Sequence, residues 1–160
     1  MEITVSVEIP KGSRNKYEVD EKTGEIALDR ALYGPEEFPF DYGYIKDTLG
    51  EDGDPLDVVL LVTNPTFPKC QVKSKVIGYL EMEDESGIDN KILATPTAKL
   101  DPRWAGIEDV KDLSDGQQQE IREFFENYKK LEPNKWVKLK EFKSAAEAQA
   151  LIEEGRKRRG

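Results

Sequence analysis

Glu51-Asp52-Gly53-Asp54-Pro55-Leu56-Asp57 runs without a break into Val58-Val59-Leu60-Leu61-Val62. Gly53 and Pro55 mark a tight turn, and the apolar run marks a buried strand. Asp52 and Asp54 therefore belong to the turn, and Asp57 to the mouth of the strand. Carboxylates crowded this closely repel one another, so at neutral pH they must take up protons or share a cation. Hard divalent ions such as magnesium and calcium prefer oxygen ligands, which makes a metal the natural resolution. A plain solvated turn and a calcium loop are the other readings. The helix–loop–helix calcium loop needs a closing glutamate at its twelfth position and a helix on each side, and neither is evident here.

Around this stretch the chain is sized for one domain, residues 1–160, with a proper core. It carries 33 acidic and 24 basic residues, for a net charge of -9. That balance argues against broad electrostatic binding to nucleic acid. No apolar run is long enough to span a bilayer, and the first residues lack the basic-then-apolar pattern of a signal peptide, so a cytoplasmic location is expected. The lone Cys70 cannot form an internal disulfide, agrees with a reducing compartment, and reads as an inert core thiol. Histidine is absent altogether, which excludes the usual catalytic triads and histidine-ligated zinc. Acid–base chemistry must then come from carboxylates, lysines, tyrosines or water held by a metal.

Working outward, Ile3, Val5, Val7 and Ile9 alternate with polar residues and predict a first strand whose polar face carries Glu8. Asn15 to Asp20 and Glu25 to Arg30, joined through Lys22-Thr23-Gly24, predict a hairpin with Lys16 and Glu18 on one face. Ala31 to Phe40 is irregular, and Tyr42 to Ile45 is extended. Cys70 to Asp84 predicts one or two strands, Asp84 to Gly87 a turn, and Asp89 to Thr95 a further strand with Asp89 and Lys91 on one face. Ser114 and Gln117 have capping-box spacing, and Ile121, Phe124, Phe125, Tyr128 and Leu131 follow at helical intervals. Trp136 to Lys140 predicts a short strand. Ser144 and Glu147 then cap an alanine-rich helix that ends in Arg156-Lys157-Arg158-Arg159, where cations suit the dipole. Many short strands followed by two helices predict a mainly β fold: a small closed OB-like barrel of five strands with two peripheral α-helices.

Strands and turns put Glu8, Glu18, Asp52, Asp54, Asp57, Asp84 and Asp89 on display, together with Lys16, Arg30, Lys91 and Lys129. Both signs recur on single short strands. A site for several divalent ions and a polyanion needs that mixture, with carboxylates holding metal and Lys or Arg taking phosphate oxygens. Each residue also has a structural reading. Glu8, Lys16 and Glu18 suit cross-strand pairing on a wet face. Arg30 suits a surface strand end, and Asp84 and Asp89 a hairpin turn. Tyr128 and Lys129 suit a helix end. A barrel of this shape could alternatively bind single-stranded nucleic acid on aromatic platforms in a basic groove, against which the acidic charge speaks. A structural calcium-binding module is a third reading. Periodicity alone supports a metal-binding barrel with a polyanion site and goes no further.

Several blocks together resemble the soluble family I inorganic pyrophosphatases. They are Glu8-Ile9-Pro10, Lys16-Tyr17-Glu18, Asp29-Arg30, Tyr42-Gly43-Tyr44-Ile45, Asp52-Gly53-Asp54-Pro55-Leu56-Asp57-Val58, Asp84-Glu85, Asp89-Asn90-Lys91 and Phe124 to Glu132. The resemblance runs from about Glu2 to Trp136. It implies hydrolysis of pyrophosphate to two phosphates by a metal-activated water, with several magnesium ions; manganese or zinc could substitute. It implies that Asp52, Asp57 and Asp89 hold a first metal, that Asp57 is shared with a second, that Asp84 and Asp89 hold one brought with the substrate, and that Glu8 serves the remaining site. Asp54 would accept the proton of the attacking water and Glu18 would orient water. Lys16, Arg30, Lys91, Tyr42, Tyr128 and Lys129 would grip the phosphates, Tyr42 standing with the catalytic group as well. Two divalent ions can clamp one water and lower its pKa toward neutrality, so no histidine is required.

Three positions depart from the family pattern. Glu123 and Asn127 stand where many bacterial relatives carry histidines, some of them at subunit contacts. Phe38 stands where some relatives carry a tyrosine. The short chain resembles the prokaryotic form, which implies a homo-oligomer, usually a hexamer.

Overall fold

The computed structural model describes residues 1–160. In chain order the strands are β1 (Glu2–Ile9), β2 (Asn15–Val19), β3 (Ile26–Ala31), β4 (Asp41–Tyr44), β5 (Asp57–Leu60), β6 (Gln71–Asp84), β7 (Gly87–Ile88), β8 (Lys91–Pro96) and β9 (Val137–Ser144). The helices are α1 (Asp115–Asn127) and α2 (Ala145–Arg159), and Pro102–Trp104 and Val110–Asp112 form single 3-10 turns.

Five strands close into a barrel in the order β1-β4-β5-β8-β6, with β6 returning to β1. Only β5 and β8 pair in parallel; the other seams are antiparallel. Closure depends on the length of β6. Its first residues bond β1, its middle bonds β8, and its last seven residues carry β9 outside the barrel. Register shifts between Val76 and Gly78 and between Leu80 and Met82 bend it from one set of partners to the next.

Strands β5 and β8 are buried on both faces, which is why they read as unbroken apolar runs. Val58, Leu60, Ile92 and Ala94 pack in one core with Ile3, Val5, Val7 and with Ala148 and Ile152 of α2. Val59, Leu61 and Leu93 point the other way, into a second core with Phe38, Phe40, Ile121, Phe124 and Phe125. Each Val, Leu, Ile or Phe side chain so removed from water contributes about 1.5–3 kcal/mol before entropy is counted. Both helices start where the capping boxes predict. Ser114 Oγ accepts from the Gln117 amide at 3.1 Å, and Ser144 Oγ from the Glu147 amide at 3.2 Å.

Four local expectations are corrected. Ile9 does not share the core of Val7, because a bulge between them turns the chain. Leu131 lies past the end of α1 at Asn127 and is exposed, not part of its apolar stripe. Asp89 lies in the turn before β8, not on it, and meets Lys91 by direct contact. Cys70 is half-buried at the edge of a core, not inside it. The β2–β3 hairpin pairs with no barrel strand and stands as a separate wall.

Candidate active site

The aspartate turn is built from behind. Gly53 adopts φ +90°, a left-handed conformation that glycine takes without strain. The Asp54 amide donates to Asp52 Oδ1 at 3.0 Å, and the Gly50 amide to the Asp54 carbonyl at 2.7 Å. Buried Thr48 Oγ donates to the Ile45 carbonyl and accepts from the Leu56 amide, which closes the loop. Helix α2 presses on its back at Gly155, where an added Cβ would lie 2.9 Å from Leu56 and 3.3 Å from Thr48. Asp52 and Asp54 are consequently held at an exposed lip, with Asp57 half-buried below them.

Beneath this lip lies a charge knot. Lys91 Nζ donates to Tyr42 Oη at 2.7 Å and to Asp57 Oδ2 and Asp89 Oδ2, both at 2.8 Å. Tyr42 Oη donates in turn to Asp57 Oδ2 at 2.8 Å. The lysine side chain is 3% exposed. Burial works against its charge, but Asp57, Tyr42 and Asp89 outweigh that and hold its pKa well above the ordinary lysine range. An aromatic floor carries the knot. Tyr42 sits 5.7 Å from Phe38 and Tyr128 stacks on Phe124 at 5.3 Å, which places both phenols without spending polar groups.

The hairpin supplies the facing wall, with Lys16 and Glu18 on β2 and Arg30 on β3. Lys16 Nζ reaches Asp29 Oδ2 at 3.3 Å, and the Arg30 guanidinium bonds the same oxygen. Glu8, beside the β1 bulge, ties the wall to the barrel by accepting from the Val19 amide at 2.9 Å. On the remaining side, Tyr128 caps α1 and Lys129 follows it. Lys129 Nζ donates to Asp84 Oδ2 at 2.9 Å and to Glu85 at 3.2 Å.

Every candidate residue named from the sequence lines one cleft of about 740 Å³. Glu8, Asp52, Asp54, Asp57, Asp84 and Asp89 face it together with Lys16, Glu18, Arg30, Tyr42, Lys91, Tyr128 and Lys129. Phe38 lines it as well, as an apolar ring. Sequence reasoning missed Lys22 and Lys135 at the rim, and it took Asp29 and Glu85 only as parts of motifs. Asp29 proves to be the ion-pair partner of Lys16 and Arg30, and Glu85 that of Lys129. Glu132, paired with Arg30, was missed in the same way. Acids next to or near predicted bases were the available signal.

The acids carry more negative charge than the lysines neutralise. Burial, with Asp57 nearby, pushes the Glu8 carboxyl up to about 7. Burial first, then Asp57 and Asp84, raises Asp89 despite Lys91. Burial, then Asp89, Asp54 and Asp57, raises Asp52. No three carboxylates close on a single point at metal-binding distance, since Lys91 stands between Asp57 and Asp89. The donors are nonetheless all hard oxygens, share one cleft and repel one another, so they fit divalent magnesium-type ions.

A closed five-stranded barrel whose mouth sets acids against lysines and an arginine defines a polyanion-handling enzyme of the metal-carboxylate kind. A sequence model described as inorganic pyrophosphatase matches residues 5–159. The inorganic pyrophosphatase of Streptomyces coelicolor is 48% identical over 158 residues, spanning 99% of this chain and 96% of that one. The solved inorganic pyrophosphatase of Helicobacter pylori superposes with a TM-score of 0.97 at 42% identity, covering 99% of this chain and 93% of that one. That of Thermus thermophilus gives 0.95 at 42% identity, covering 99% and 91%. The chain belongs to the inorganic pyrophosphatase family, in its prokaryotic form, and is a hydrolase acting on the phosphoric anhydride bond.

Proposed function

We propose that this chain hydrolyses inorganic pyrophosphate to two orthophosphates and requires magnesium to do so. The observation that carries the reading is the convergence of acids and bases from β1, the hairpin, the aspartate turn, the end of β6, β8 and the segment after α1 on one cleft. Asp52, Asp57, Asp84, Asp89 and Glu8 are the residues that would hold the ions. Magnesium, when bound, supplies positive charge to the phosphate oxygens and makes a water more acidic.

The chain's own residues do the rest. Asp54, free of side-chain partners at the lip, takes a proton from the attacking water. Glu18 orients that water. Its oxygen bonds to one phosphorus as the bridging P–O bond breaks, and the second phosphate leaves with the bridging oxygen. Phosphoryl transfer asks mainly for position and charge neutralisation. Lys16, Lys91 and Lys129 serve as point charges, Arg30 as a planar fork, and Tyr42 and Tyr128 as neutral donors. Burial raises both phenols above their ordinary pKa, so they keep their protons at neutral pH.

Residues 1–160 act as one domain, and the family form suggests a cytoplasmic homo-oligomer, a hexamer. No helix of the structure is long and apolar enough to cross a membrane. A phosphate-release assay on pyrophosphate tests the reading. Turnover is expected with magnesium and not without it, and calcium is expected to inhibit, because it is larger and less strict in geometry. Full activity without any divalent ion would end the proposal.

A further inference from the structure

Arg30 enters the cleft from a hairpin that shares no strand with the barrel. Its Nε stands 2.8 Å from Oε1 of Glu132, while Nη1 bonds Asp29. Glu132 belongs to the turn after α1, its amide donating to the Lys129 carbonyl at 3.1 Å. The ion pair therefore joins two walls of the cleft, one bearing Lys16 and Arg30 and the other Tyr128 and Lys129. Glu132 itself does not line the cleft, and its side chain is 7% exposed.

This carboxylate is poorly satisfied. Oε2 is buried without a protein partner, and the Nε–H of Arg30 is not aligned with Oε1, so the contact is a charge pair and not a well-formed hydrogen bond. For stability alone an apolar side chain commonly does as well as a buried ion pair. The arrangement makes sense as orientation. An arginine grips phosphate through a planar fork, and the plane must be fixed before the substrate arrives. Asp29 accepts from Nη1 and the Glu132 charge sits beside Nε, so the guanidinium is held from two sides with Nη2 left uncommitted. Burial works against the Arg30 charge, but Glu132, then Asp29, more than restores it.

We propose that Glu132 is a positioning residue, which holds Arg30 in the orientation that takes a phosphate oxygen and touches no substrate itself. The inference rests on the pyrophosphate reading of the cleft.

The test compares wild type, Glu132→Gln, Glu132→Asp, Arg30→Lys and the double variant Glu132→Gln with Arg30→Lys. Each is assayed for hydrolysis of magnesium pyrophosphate and for calorimetric binding of imidodiphosphate, a readout independent of turnover. Glu132→Gln is expected to raise KM and the imidodiphosphate Kd about tenfold with kcat within about twofold, and Glu132→Asp to fall between it and wild type. In the Arg30→Lys background the same change is expected to add less than about twofold, because its target is already altered. An unchanged KM in folded Glu132→Gln overturns the proposal, as does a penalty that persists in full without Arg30. Should Glu132→Gln fail to fold in a thermal melt, wild-type KM in Glu132→Asp overturns it equally. A wild-type protein that binds imidodiphosphate but releases no phosphate refutes the pyrophosphate reading instead, and the Kd series still decides the role of Glu132.

Discussion

Lys91 Nζ lies 2.8 Å from Asp57 Oδ2, with the lysine almost wholly shut away from water. The same ammonium holds Asp89, so one cation stands between an acid at the start of β5 and an acid in the turn before β8. Replacing it by an uncharged residue of similar length leaves both carboxylates facing each other. Lys91→Met should cost the metal-free protein about 2–4 kcal/mol, read as a lowered urea midpoint. Magnesium should then raise the melting temperature of the variant more than that of wild type. Equal shifts would mean that the two acids do not compete for lysine and metal.

Glu8 gives a pH dependence of defined sign. Its carboxyl titrates near 7 in the folded chain, chiefly because it is buried, against an ordinary value of 4.5. A raised acid favours the fold fully below the unfolded pKa, and that contribution is lost as pH rises through the folded one. Between pH 4.5 and 7 the metal-free protein should thus lose up to about 3 kcal/mol from this group. Glu8→Gln should match wild type in urea melts at pH 4.5 and exceed it at pH 8. Parallel curves at both pH values would refute the assignment.

Asp54 separates chemistry from stability. It is exposed, and its side chain holds nothing in place. Asp54→Asn should leave the melting temperature within the range of a neutral surface change, about 0.5 kcal/mol, while kcat falls at least about a hundredfold. Near-normal turnover would remove Asp54 from the role of proton acceptor.

Gly155 tests the support behind the aspartate turn. Its helix touches the loop through the Leu49 amide, which donates to the Gly155 carbonyl at 3.0 Å. A glycine-to-alanine change in a helix usually stabilises, but here a side chain would push on Leu56 and Thr48. Gly155→Val should destabilise by about 1–3 kcal/mol and raise the magnesium concentration needed for half-maximal activity. A valine variant with wild-type metal dependence would show that the turn keeps its shape unaided.

Much of the architecture was legible along the chain because it is local. The apolar run from Val58 announced a buried strand, which ends at Leu60, and the Ser114 and Ser144 caps marked both helix starts. The bulge after Val7 was not legible, since alternation carries no sign of where a register slips. Nor was the position of Asp89, which by parity alone shares a face with Lys91 whether it is on the strand or before it. The site residues were named from motifs, but motifs reveal no partners. Asp29, Glu85 and Glu132 act on Lys16, Lys129 and Arg30 through contacts that join distant parts of the chain, the widest between Arg30 and Glu132.

The sequence by itself determined which segments alternate, which turn and which acids crowd together, because strand period, glycine freedom and charge repulsion operate over a few neighbouring residues. Only the tertiary structure decided that Lys91 would lie between Asp57 and Asp89, that Glu132 would brace Arg30, and that α2 would press on the aspartate turn. Those contacts join distant segments, and barrel closure sets them by aligning β6 with three partners at once.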